Sequence, residues 1–433
     1  MASKERLSEK LMDEERKLAI ICGGGPAPGI NSVISSVVIE AIHEGFHEVI
    51  GFQEGFRHLA QGEAEPHKKL TIRDVSRITT TGGVYLKTSR TNPSRSKDML
   101  ENVVRVFRVL GITDLVTIGG EDTAFSSMKV AEHAAAQGYK LRVVHVPKTI
   151  DNDLPLPEGV PTFGFETARS FGTQIVKILS EDARSTGRWY LVICMGRKAG
   201  HLALSIGKSA AATITLIPEE FNMKCTEELL VDTIVGAIFK RAALGRNHGL
   251  ALVAEGFLEL EGFFNLEDVP RDDHGHPVLA EIDFSGHLKG KILERLKEFG
   301  VQKRMVEKDL GYELRCCDPV AFDIEYTRNL GWAAVEFLIG GGTHAMVTIQ
   351  QDHVVPIPFD KMFDPRSGKV KVRTVNTDSA FFKVAKEYMI RLEVQDFEDE
   401  KRLKQIAKAA GVTPEKFREE FFHVVEQEAG AMV

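Results

Sequence analysis

Three short stretches of this chain combine residue types that could handle phosphoryl groups. The first is Gly23-Gly24-Gly25-Pro26-Ala27-Pro28-Gly29-Ile30-Asn31, which follows an apolar run and precedes a helical pattern. Glycines let a backbone approach a ligand closely, and the unpaired N–H groups at a helix start attract anions. The stretch fits neither the P-loop nor the dinucleotide fingerprint, so a tight turn with no ligand explains it about equally well. The second is Gly119–Thr123 (GGEDT). Its Glu121 and Asp122 offer hard oxygen ligands suited to Mg²⁺ bridging phosphoryl oxygens, although two acids also simply suit a helix dipole. The third is Pro147–Asp153 (PKTIDND). One of its aspartates can take a proton from an attacking hydroxyl while the other helps hold a metal. Read alone, Asp-Asn-Asp is better explained by an Asx turn.

Each stretch lies at the carboxyl end of a strand candidate, and such loops converge at one edge of an open parallel sheet. The strand candidates are Leu18–Cys22, Leu115–Ile118, Arg142–Val146, Trp189–Met195, Thr213–Ile217 and Leu250–Ala254. None alternates cleanly between polar and apolar residues, as expected of strands covered on both faces. Helical patterns lie between them, at Asp98–Leu110, Glu166–Ser180 and Thr226–Leu244. The first repeats its apolar residues at Met99, Val103, Val106, Phe107 and Leu110. Strand alternating with helix predicts an α/β fold with largely parallel sheets. Leu258–Pro277, rich in charge and turn formers, reads as a surface loop or small insertion. From Asp396 to Gly430 the pattern is a charged helical tail, with Thr413 and Pro414 signalling the start of a last helix.

Composition narrows the function classes. A chain of 433 residues is long enough for roughly two or three domains. Its net charge of −7 argues against a nucleic-acid binder. Five cysteines, two of them adjacent at Cys316 and Cys317, fit neither a disulfide framework nor a zinc spacing. The charged start lacks the apolar core of a secretory signal, and no run approaches the roughly 18 apolar residues of a membrane span. The expectation is a reduced, cytoplasmic protein.

Taken in order, the motifs resemble the phosphofructokinases. The resemblance runs through Gly24–Asn31 (GGPAPGIN), Gly82–Arg90 (GGVYLKTSR), GGEDT and PKTIDND. It continues through Met195–Arg197 (MGR), Ala254–Gly256 (AEG), and Tyr312–Arg315 (YELR) followed by Pro319–Asp323 (PVAFD). The family fold implied is two doubly wound Rossmann-like domains with an active-site cleft between them, plus the helical tail. Residues 16–162 with 314–370 would bind the phosphoryl donor. Residues 163–313 with 371–433 would bind the sugar phosphate and include the tail.

Two positions speak to the donor. ATP-using members resemble GGDG and PGTIDND, whereas this chain has Asp122 and Lys148 where those patterns have glycine. Both replacements are similar to those of the pyrophosphate-dependent branch. The physical reason is that Asp122 would fill the space of a nucleotide's α-phosphate and repel it. Lys148 would set a cation against a small, densely charged donor.

The resemblance further implies a role for each site residue. Asp151 would accept the proton from the 1-hydroxyl of fructose 6-phosphate, with Asp153 supporting it or the Mg²⁺ shell. Lys148, Arg197 and Arg90 would neutralise the transferring phosphoryl group, and Thr149 would hydrogen-bond it or the sugar. Gly25 would line the donor loop, and Asp122 with Glu121 would meet the metal. Glu121 stands where the family often has aspartate, so its contact could be direct or through water. Met195, Gly196 and Glu255 would hold the sugar, and Tyr312 and Arg315 its 6-phosphate. Arg188 is placed like the family's arginine that enters a neighbour's site, implying a homodimer or homotetramer. A second donated cation could be Lys303, Arg304 or Lys308.

His145, His201, Tyr85 and Phe163 are expected to be structural, and Cys316 and Cys317 to pack. Two rivals remain at this stage: an ATP-dependent phosphofructokinase, and a silent regulatory subunit that binds sugar phosphates without transfer.

Overall fold

The computed structural model describes residues 16–429 apart from 268, 276, 367 and 368, and at residues 280 and 427–429 only the backbone. The charged start, residues 1–15, and Gly430 at the end of the predicted tail lie outside the described residues. The elements used below begin with β1 (Lys17–Cys22), α1 (Ile30–His43), β2 (Glu48–Phe52), β3 (His67–Lys69), α2 (Lys97–Leu110), β4 (Asp114–Gly119), α3 (Glu121–Ala136), β5 (Arg142–Thr149) and β6 (Phe163–Gly164). Next come α4 (Phe165–Thr186), β7 (Trp189–Cys194), α5 (His201–Ala210), β8 (Ile214–Leu216), α6 (Glu227–Ala243), β9 (Gly249–Ala254), α7 (Phe284–Glu298) and β10 (Met305–Leu310). The last are α8 (Ala321–Ile339), β11 (Ala345–Met346), β12 (Ile357–Pro358), α9 (Ala380–Glu387), α10 (Glu400–Ala410) and α11 (Pro414–Phe421).

The chain divides into two compact units. Unit 1 comprises Met1–Ala168, Arg271–His276 and Tyr312–Arg373; unit 2 comprises Arg169–Pro270, Pro277–Gly311 and Thr374–Val433.

Unit 1 is built on an eight-stranded sheet of order β12-β11-β5-β4-β1-β2-β3, with β6 alongside β5. Its core pairs are parallel, and only the outer β2–β3 and β11–β12 pairs run antiparallel. The central strands β1 and β4 are buried along almost their whole length because helices cover both faces. From β1 the chain moves outward to β2 and then returns to β4 on the other side of β1. That reversal opens a crevice at the carboxyl ends of β1 and β4. Cys22 pairs in register with Ile118, and Gly119 with Pro147, so the three predicted loops leave the sheet at one edge.

Helix α1 lies against α8 at a place where Gly331 leaves room. A Cβ there would stand 2.6 Å from the Cβ of Ser36, whose hydroxyl donates to the Arg328 carbonyl at 2.7 Å. At the start of β4, fully buried Asp114 accepts from Arg16 at 2.6 Å and from Arg142 at 2.8 Å.

Unit 2 holds a four-stranded, all-parallel sheet of order β10-β7-β9-β8. Here too the carboxyl ends align, with Cys194 paired to both Leu310 and Ala254. The tail is core packing. Phe417 and Phe421 of α11 are fully buried and meet Phe239 of α6 edge-on, with ring centroids 6.2 and 5.8 Å away. The predicted start of that helix is present: Thr413 accepts from the Lys416 N–H at 3.3 Å, and Pro414 is the first helical residue. Cys316 is exposed, not packed, and Cys317 is half-buried.

Candidate active site

The glycine loop owes its course to contacts that a side chain would block. A Cβ at Gly23 would stand 2.4 Å from Thr123 Oγ1, and Gly24 takes a φ of +80°, the left-handed region that glycine adopts without strain. The loop is tied sideways to the 82–90 stretch. The Gly24 N–H donates to the Ser89 carbonyl at 2.9 Å, and the Thr88 hydroxyl to the Gly24 carbonyl at 2.7 Å. Asn31 completes the tie: its Oδ1 accepts from the Tyr85 N–H at 2.7 Å.

Strand β5 runs further than the apolar run suggested, through Lys148 and Thr149, and so carries the lysine under the glycine loop. Lys148 is 6% exposed, and its ammonium donates to the Gly25 carbonyl at 2.6 Å. Arg315 lies on the same loop, its Cζ 3.4 Å from where a Gly25 Cβ would stand. Burial lowers the Lys148 pKa to about 8, and Arg315 and Arg90 press it the same way, while Asp151 and Asp153 oppose them. Four predicted residues thus act on Lys148 here, and with it they make three cations fit for a polyanion and two carboxylates.

The aspartate loop is held from several directions. Thr149 Oγ1 accepts from the Asp151 N–H at 3.0 Å, and the Thr162 hydroxyl donates to the Thr149 carbonyl at 2.7 Å. Asn152 turns left-handed at φ 58°, and its Oδ1 accepts from the Thr162 N–H at 3.0 Å. Arg373 then braces the loop from outside every predicted motif. Its backbone N–H donates to the Asp153 carbonyl at 2.8 Å. Its guanidinium donates to the carbonyls of Asn152 at 3.1 Å and Val160 at 2.7 Å, and also to the Asn152 side chain.

Glu121 and Asp122 open α3, half-buried, directly after Gly119 and Gly120. Asp122 Oδ1 faces His274 Nδ1 at 3.4 Å. Among the described residues, the only trio of His, Cys, Asp or Glu with ligand atoms within 4.8 Å of one another is Glu40 of α1, Glu44 just after it and Glu336 of α8. The loops thus offer carboxylates without a closed protein cage. This donor set fits Mg²⁺, which keeps several waters and binds one or two carboxylates together with substrate phosphates.

His145 is structural, as expected. Fully buried, it donates from Nε2 to the Gly119 carbonyl at 3.0 Å and accepts the Thr117 hydroxyl at Nδ1, 2.9 Å away. Burial lowers its pKa to about 3, so it stays neutral.

In unit 2, Met195, Gly196 and Arg197 follow β7, and Glu255 follows β9. Gly196, at φ 137°, donates its N–H to Glu255 Oε1 at 2.9 Å, and Arg197 Nε pairs with Glu259 Oε1 at 3.4 Å. Glu219, which the sequence did not single out, secures this loop's far end: its Oε1 accepts from the N–H groups of Gly200 at 2.8 Å and Val375 at 3.1 Å. Tyr312 and Arg315 belong to unit 1, with the Arg315 guanidinium 5.1 Å from the Tyr312 ring centre.

Arg188 is not brought to the Met195 group. It stands at the amino end of six-residue β7, about 20 Å of strand away, donating to Thr186 Oγ1 at 2.7 Å and facing Asp182 at 3.7 Å. Lys303 donates to Asn247 at 3.2 Å, Arg304 is exposed, and Lys308 bonds the Asp309 carbonyl.

Residues 17–338 match the family described as Phosphofructokinase. The chain is 50% identical over 418 residues to the pyrophosphate–fructose 6-phosphate 1-phosphotransferase of Thermotoga maritima, covering 95% of this chain and 99% of that one. It is 47% identical over 422 residues to the protein of the same name from Naegleria fowleri, covering 94% and 96%. A solved structure titled pyrophosphate-dependent phosphofructokinase, from Marinobacter aquaeolei, superposes with a TM-score of 0.67 at 17% identity, covers 92% of each chain, and speaks to the fold. Among the described residues no helix is long and apolar enough to cross a membrane. With its ordered loops, parallel sheets and full-length relatives, the chain belongs to the phosphofructokinase family.

Proposed function

We infer that this chain transfers a phosphoryl group from pyrophosphate to the 1-hydroxyl of fructose 6-phosphate, giving fructose 1,6-bisphosphate and phosphate, and runs in both directions. The observation that carries the donor assignment is the buried Lys148 ammonium on the Gly25 carbonyl. A cation fixed inside a glycine loop, where ATP-using relatives of the motif have glycine, suits a compact diphosphate.

In the forward reaction the sugar's 1-oxygen attacks a donor phosphorus, the bridging P–O bond breaks, and phosphate leaves. The hydroxyl proton passes to the Asp151 carboxylate, which returns it in the reverse direction. Lys148 and Arg90 hold and neutralise the phosphoryl groups, Arg197 adds a third cation, and Thr149 donates a hydrogen bond. When bound, Mg²⁺ supplies charge neutralisation of the phosphoryl oxygens; Asp122 and Glu121 would hold it, with Asp153 supporting. Glu255, Met195 and Gly196 bind the sugar, and Tyr312 and Arg315 bind its 6-phosphate. The Arg315 guanidinium also stands beside Gly25, so its charge serves the donor end as well.

On this reading unit 1 carries the donor loops, and unit 2 carries the sugar-binding loops at Met195 and Glu255. Arg188 acts in a neighbouring copy of the chain, which makes the working enzyme a homodimer or homotetramer. A reducing cytoplasm suits its five free cysteines.

A coupled assay with fructose 6-phosphate and Mg²⁺, comparing pyrophosphate with ATP, tests the assignment. Turnover with pyrophosphate and little with ATP is expected. Equal use of both donors would overturn the donor choice, and ligand binding with no turnover would favour a silent subunit.

A further inference from the structure

Leu258–Pro277 reads as a surface loop or small insertion, yet within it Arg271–His276 belongs to unit 1 while Pro270 and Pro277 on either side belong to unit 2. Its side chains explain this. Asp272 Oδ2 lies 3.2 Å from Arg90 Nη1, Asp273 Oδ1 lies 2.7 Å from Arg95 Nη1, and His274 faces Asp122 at 3.4 Å. The segment is also stapled to itself: Asp272 Oδ1 accepts from the His274 N–H at 3.0 Å, and Arg271 donates to the Gly275 carbonyl at 3.0 Å. An idle surface loop leaves its polar side chains in water, but here the His274 side chain is only 7% exposed and that of Asp272 10%.

We propose that His274 is a positioning residue for donor binding: on a segment moored by ion pairs, it holds the Asp122 carboxylate that selects the donor. Asp122 lies on the first turn of a helix, where a short side chain left alone samples several rotamers. A covered imidazole beside it selects one. Asp272 and Asp273 moor the segment to Arg90 and Arg95, so the imidazole stays on its carboxylate. The proposal rests on the pyrophosphate reading.

The test compares wild type, His274→Ala, His274→Gln and the unmoored double variant Asp272→Ala with Asp273→Ala. The readouts are the KM for each substrate, kcat, and the inhibition constant of methylenediphosphonate, a diphosphate that cannot transfer. Losing one charge-assisted contact to the donor's selecting group should raise the pyrophosphate KM and the methylenediphosphonate constant together by about tenfold. The KM for fructose 6-phosphate should stay within about twofold, and His274→Gln, which can still donate to Asp122, should restore most of the loss. The double variant should behave like His274→Ala and decides the matter if the alanine variant does not fold. An unchanged diphosphonate constant, or equal changes for both substrates, would overturn the inference. Wild-type protein inactive with pyrophosphate would instead sink the reading it rests on.

Discussion

The Lys148 ammonium donates a 2.6 Å hydrogen bond to the Gly25 carbonyl, which joins the end of β5 to the loop that follows β1. A lysine in this position spends one of its three protons on the protein and keeps two for a ligand. It is thus oriented before any donor arrives, and little reorganisation remains for binding. Replacing Asp122 and Lys148 together by glycine should lower kcat/KM for pyrophosphate at least 10²- to 10³-fold, roughly the loss of one or two charge-stabilising contacts. The same change should raise activity with ATP. Steady-state kinetics with both donors check it, and a variant that keeps its pyrophosphate preference contradicts the assignment.

The same lysine gives the reaction a basic limb. Its folded pKa is about 8 against 10.5 for the ordinary group, with burial the main cause. Between those values the unfolded chain binds more protons, so this group's contribution to stability grows as pH rises through that window. Donor binding moves the opposite way, because the ammonium is the useful form. With fructose 6-phosphate saturating, kcat/KM for pyrophosphate should fall as pH passes about 8, and Lys148→Arg should remove that limb. A profile that stays flat in both proteins speaks against the role.

Asp151→Asn keeps the size of the side chain and removes the base. Turnover should drop by about 10²- to 10⁴-fold, the usual worth of a placed general base. Calorimetric binding of fructose 6-phosphate should change little. A variant with near-normal turnover would exclude Asp151 as the base.

Arg373 braces the aspartate loop through its main chain and its guanidinium. Arg373→Ala leaves the Asn152 and Val160 carbonyls without these partners and should cost about 2–3 kcal/mol of stability, read by chemical unfolding. Turnover should fall as well, because the loop that holds Asp151 loses its outer support. Arg373→Lys should rescue only in part, since an ammonium cannot span those acceptors at once.

Asp114 answers two guanidinium groups, Arg16 and Arg142. Asp114→Ala would leave both near a buried site without their carboxylate, and about 3–5 kcal/mol of stability should be lost. Kinetics at low temperature, where the variant remains folded, should be close to wild type.

Strands β1, β4, β5, β7, β8 and β9 and the three phosphate-handling loops were legible in the sequence because covered parallel strands are written as apolar runs and glycines punctuate their ends, whereas β2 and the short outer strands of unit 1 were not. Strand β10 was missed: its sequence, Met-Val-Glu-Lys-Asp-Leu, is half polar because it is an edge strand with partly exposed side chains. The helix Pro414–Phe421 was announced by Thr413 and Pro414, but it is followed by another, His423–Ala429, and nothing local told that its phenylalanines are core. Arg373 and His274 were invisible for another reason. Their partners lie 221 and 152 positions away at Asn152 and Asp122, and no spacing rule reaches that far.

The burial of Phe417 and Phe421 against Phe239 has a practical corollary for anyone shortening this protein. Cutting before Pro414 would bare an aromatic surface to water, so the truncated chain should clump rather than persist as a tidier enzyme, and a fusion partner belongs beyond that helix.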